Sequence, residues 1–77
     1  MNANEWIEGY ARRLGAAPPS KDEFKAILDL AAEAAHASER VAAPVACWVS
    51  ARAGVSLEDA LAAARAVGGD AAEGEQA

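Results

Sequence analysis

The sequence predicts an all-α fold: a compact four-helix domain with helices at about 5–14, 21–39, 43–53 and 57–67. Three observations carry this expectation. Capping residues recur where helices should start and stop, and apolar residues recur at helical spacing between them. The charges also follow the helix dipole, with acids in early turns and basic residues or histidine in late ones. No strand pattern and no internal repeat competes with this reading.

Helix one is expected to begin after Asn4, a good N-cap, and to end at Gly15. Trp6, Tyr10 and Leu14 recur every four residues with Ile7 beside them, so they are assigned to its core face. Glu8 and Arg12 stand four apart with the acid first, the favoured order for a helical pair. Ala16-Ala17-Pro18-Pro19 reads as a stiff extended connector, because residues before proline avoid the helical region.

Helix two opens on a capping box, with Ser20 as cap and Glu23 three residues on. Phe24, Ile27, Leu28, Ala31, Ala35 and Ser38 are expected to face the core. Ala26, Leu30, Ala34 and Ala37 form a second strip, and Asp29, Glu33, His36 and Arg40 a polar one. A helix apolar around most of its circumference should be central, touched on two sides.

Pro44 suits the first turn of helix three, where its missing N–H is harmless. Val45, Trp48, Val49 and Arg52 share one face of that helix, and Gly54 closes it. Ser56 caps helix four, whose stripe is Leu57, Ala60, Leu61, Ala64 and Val67 before Gly68-Gly69. Residues 1–68 should therefore be one helical domain and 69–77 a disordered acidic tail.

Size and charge narrow the function classes. Seventy-seven residues lie near the lower limit for a core that stands alone, and much of the 53% hydrophobic content is alanine. A protein partner or a homodimer is accordingly expected. The net charge is -5, but Asp70, Glu73 and Glu75 sit in the tail, leaving the body at -2. A nearly balanced body offers no electrostatic reason to bind nucleic acid or an anionic membrane. The single cysteine, Cys47, has no partner for a disulfide or a metal site. No run reaches membrane-spanning length and no leader pattern opens the chain, so a cytoplasmic protein is expected.

The stretch from His36 to Pro44 gathers the polar candidates. Glu33 and His36 have the E-x-x-H spacing of carboxylate-bridged di-iron bundles, but such a site needs a second histidine and the chain has one. A triad built on His36 would need a nucleophile in reach and an oxyanion hole, and neither Ser38 nor Cys47 supplies that arrangement. The simpler reading is a corner clasp: His36 and Arg40 favour a helix C-terminus, and Glu39 turns toward the N–H groups opening helix three. His36, Glu39, Arg40 and Pro44 are thus the candidate interaction surface or structural clasp. No catalytic residue, cofactor site, metal site or small-molecule substrate is identified.

Two further patterns resemble known modules. Ala51 to Ser56 resembles the turn of a helix-turn-helix, although a recognition helix opening Leu57-Glu58-Asp59 would point carboxylates at phosphates. A small acidic helical chain also resembles an acyl-carrier domain, which requires Asp-Ser-Leu at a helix start. Ser38 stands instead in Ala37-Ser38-Glu39, near a helix end.

The ordered set Glu5-Trp6, Gly15 to Pro19, Ala35-His36 with Glu39-Arg40, and Ala42-Ala43-Pro44 through Gly54 resembles a small bacterial, actinobacterial-type family of domains of unknown function. Val41 follows Arg40 where many relatives are expected to carry proline. The resemblance implies a domain found alone or as an appendage of molybdenum cofactor guanylyltransferase-like proteins. It therefore implies an accessory role near molybdopterin guanine dinucleotide synthesis. The chain lacks the glycine-rich nucleotide signature of the transferase itself, so the expectation is a non-enzymatic accessory or protein-interaction domain. The alternative is a degenerate helix-turn-helix regulator.

Overall fold

The computed structural model describes residues 1–76, with side chains described through Gly68. Four helices follow one another: α1 Ala3–Leu14, α2 Lys21–Ala37, α3 Ala42–Ala53 and α4 Leu57–Gln76, with no strand among the described residues. The all-α class and the number of helices are as the sequence predicts. The tail expected to be disordered, 69–77, lies outside the residues described in full.

Local chemistry sets most helix ends. At α1 the cap is Asn2 rather than Asn4: its Oδ1 accepts the Glu5 N–H at 2.8 Å, so the helix starts two residues early. Gly15 ends α1 in the left-handed conformation, φ 73°, which an L side chain rarely adopts. Its N–H and that of Ala16 return to the Arg12 and Ala11 carbonyls, closing a Schellman motif. Ser20 and Glu23 form the expected capping box, each side chain accepting the other's backbone N–H at 3.1 and 2.8 Å. Ser56 caps α4 through the Asp59 N–H. α4 runs on through Gly68 instead of ending after Val67. Glycine weakens a helix without forbidding it, and Gly68 lies where a β-carbon would meet Ala37 at 3.6 Å.

The break between α2 and α3 has a steric cause. If α2 continued unbroken, the Pro44 ring would strike the Arg40 carbonyl four residues back. The chain instead leaves the helix at Ser38, whose hydroxyl donates to the Ala34 carbonyl at 2.8 Å. It turns, and re-enters at Ala42 with no side-chain cap. The Ala42 and Ala43 N–H groups donate to the Glu39 and Arg40 carbonyls, and Pro44 has no N–H to satisfy. The first three donors of α3 are thereby accounted for without any side chain.

α2 is the central helix, packing against both α3 and α4. Its sheltered arc joins both expected strips: Leu30 is 2% exposed, Phe24, Ile27, Ala31 and Ala35 of the main stripe and Ala26 and Ala34 of the second are half-buried, while Leu28 (55%), Ser38 and Ala37 are exposed. Cys47 and Ser50 of α3 lie near Ile27 and Leu30, and Ala42 lies near Ala37, so α3 runs antiparallel to α2. Leu57 sits by Ile27 and Gly68 by Ala37, so α4 runs parallel to α2. α3 turns its small residues inward: Ala43, Ala46, Cys47 and Ser50 are half-buried. Val45, Trp48 and Val49, assigned to one face from sequence, point to solvent.

α1 does not join this cluster as a packed fourth helix. Its sheltered side is Ile7 and Ala11, while Trp6, Tyr10 and Leu14 are exposed, one strip away from the expectation. The two aromatic rings stack on each other, centroids 4.9 Å apart. With α4 extending to Gln76, the chain measures 48 × 24 × 18 Å.

Two predictions follow from these contacts. Leu30→Ala should cost about 3 kcal/mol and Leu28→Ala well under half of that, read from urea denaturation midpoints. Ser20→Ala should cost about 1 kcal/mol. The backbone Ser20 N–H, and after it the Ser20 hydroxyl, hold the Glu23 carboxyl below its ordinary pKa. Its contribution is therefore full above the ordinary carboxylate value and lost as pH falls through the lowered one. Acid titration of a Glu23→Gln chain should show that part of the pH dependence missing, whereas Ser20→Ala, which keeps the backbone N–H, should retain most of it.

Candidate functional site

The corner between α2 and α3 holds the residues singled out from sequence. His36 lies exposed in the last turn of α2, Glu39 and Arg40 in the exposed turn that follows, and Pro44 exposed in the first turn of α3. All four lie exposed within the nine residues, 36–44, that join α2 to α3. Their joining is made by backbone: the Glu39 and Arg40 carbonyls take the N–H groups that the Glu39 side chain was expected to meet. Among the described residues, the ion pair present is Lys25–Asp29 at 3.1 Å, on the exposed side of α2, and not one within the corner or between Glu8 and Arg12. At 78% and 48% side-chain exposure it adds little.

Chemically, the corner is a solvated set of donors and one carboxylate. No three His, Cys, Asp or Glu side chains converge on a common point among the described residues. Cys47 is a free thiol, half-buried on the α2-facing side of α3.

A second surface has no counterpart in the sequence reading. α3 and α4 both lie on α2 and leave an open apolar groove of about 530 Å³ between them. Leu30 of α2 is in its floor, Ala46, Ala60 and Ala64 line its depth, and Val45, Val49 and Val67 form its rims. Those three valines are 59%, 52% and 67% exposed. Beside it, Arg52 lies over the Trp48 ring, 5.1 Å from its centroid. A signal was present in the sequence: α3 carries alanines on one side and large apolar residues on the other, so only one of the two faces can meet α2.

The profile of a family described as a domain of unknown function, DUF6457, matches residues 1–76. No curated protein matches the chain, and no solved structure does.

Because backbone atoms make the corner, His36→Ala, Glu39→Ala and Arg40→Ala should each shift stability by no more than about 0.5 kcal/mol. Thermal melts of the three variants check this. A loss above about 1.5 kcal/mol in any of them would restore the clasp as the side chains' purpose.

Proposed function

The chain belongs to the DUF6457 family of domains of unknown function, and we propose that it is a non-enzymatic accessory or protein-interaction domain associated with molybdenum cofactor biosynthesis. The observation that carries the interaction reading is the apolar surface. Among the described residues only Ala11, Leu30 and Ala60 are buried apolar residues, while Trp6, Tyr10, Trp48 and seven smaller aliphatic side chains from Leu14 to Val67 stand about half or more exposed. Soluble monomers rarely leave contiguous apolar patches beyond a few hundred Å², and larger ones mark surfaces that another protein covers. The polar corner of His36, Glu39, Arg40 and Pro44 would then set partner choice, as charged rims do at interfaces.

The molybdenum cofactor association is supported by the resemblance across residues 5–67 to a family found alone or as an appendage of guanylyltransferase-like proteins. The accessory reading is supported by the absence of a glycine-rich nucleotide loop from the sequence. Action in the cytoplasm fits a chain with one cysteine and no disulfide. No described helix is long and apolar enough to cross a membrane. For the helix-turn-helix alternative, α3 and α4 pack on α2 in preference to each other, and Glu58 and Asp59 are exposed at the start of α4.

The test is capture of a purified molybdenum cofactor guanylyltransferase by the tagged full chain. Wild type should bind, and Arg40→Ala should weaken binding at least about tenfold, or about 1.4 kcal/mol. Equal binding by both removes the corner from the interface. Binding to duplex DNA that falls steeply with added salt, with no capture of the enzyme, would replace the proposal by the regulator reading.

A further inference from the structure

The α3–α4 groove and the aromatic strip of α1 are two halves of one interface. We propose that the chain forms a symmetric dimer in which α1 of each copy lies in the α3–α4 groove of the other. The proposal rests on the preceding reading only in taking the exposed apolar surface to be covered by protein.

Exposed apolar side chains give the first argument. Trp6, Tyr10 and Leu14 on α1 are 53%, 51% and 64% exposed, and Val45, Val49 and Val67 on the groove's rims 59%, 52% and 67%. In a two-fold dimer each copy contributes both surfaces, so the ridge-in-groove contact is made twice.

Shape gives the second. The groove is concave, with Leu30 and alanines at its base, and leaves room for large side chains from outside. α1 supplies those and has no groove of its own: Trp6, Tyr10 and Leu14 lie exposed on one strip, with the Trp6 and Tyr10 rings stacked into a single ridge. That strip spans about 12 Å of helix, and α3 walls the groove over about 17 Å. Alanines in the floor permit the close axis approach of packed helices, about 8–10 Å. Two grooves facing each other would enclose a void, whereas a ridge in a groove fills it.

Tethering gives the third. α1 sits against the opposite end of α2, where Asn4 and Glu8 border Pro19, Phe24 and Leu28. The Pro18-Pro19 connector is stiff and holds α1 there. Its outward strip is therefore presented to another molecule. Because each copy carries one ridge and one groove, a two-fold axis satisfies both and the assembly closes.

The experiment uses the full chain. Light scattering of wild type at micromolar concentration should give twice 7.9 kDa, and Val49→Asp and Trp6→Ala should each shift the mass toward the monomer. As a second readout, two chains of different tag length, both carrying Cys47→Ser, are mixed; one bears Tyr10→Cys and the other Val49→Cys. A short bismaleimide should link the unlike chains in preference to two Val49→Cys chains. A monomeric wild type, or preferential linking of like chains through position 49, overturns the proposal. A monomeric wild type that still captures the guanylyltransferase would leave the accessory reading standing, and a linked dimer that captures nothing would do the reverse.

Discussion

The packing of α2, α3 and α4 depends on the burial of one side chain. Leu30 sits where the three helices meet, and among the described residues it is the single large one removed almost wholly from water. Full burial of a leucine stabilises by about 2 kcal/mol, and the alanines around it add area in small pieces. Because those pieces are alanine, helices approach closely while the hydrophobic gain per residue stays low. The body is therefore well located around α2 and lightly held.

The same economy explains where the large residues went. A helix has a limited arc that can face a neighbour. α3 gives that arc to Ala43, Ala46, Cys47 and Ser50, so Trp48 and its flanking valines are displaced outward. On α1, Ile7 and Ala11 take the sheltered side, and the aromatic pair is left to stack on itself. Small-residue packing inside and large-residue exposure outside are one arrangement seen from two sides.

This also separates what could be read from the sequence from what could not. Helix existence and ends were legible because capping is local: Ser20 with Glu23, Gly15, Gly54 and Ser56 each act within a few residues. The cap of α1 was misplaced because Asn2 and Asn4 are equally suited and only geometry chooses between them. Burial was much less legible. On α2, most of both apolar strips is sheltered, and periodicity does not say that Leu30 would be the centre and Leu28 left in water. The corner was legible as a place where polar residues gather, but the N–H groups expected to hold Glu39 were already met by carbonyls, which no side-chain pattern reveals.

The turn between α2 and α3 has a bearing on how such a chain can change over generations. Its hydrogen bonds run from backbone to backbone, and the proline that forces it lies outside the turn itself. Any residues that tolerate the turn can therefore occupy positions 39 and 40 without altering how the two helices are joined. Selection can rewrite the charge and shape of this edge while the fold stays constant, and one or two substitutions suffice to change what the corner presents to solvent.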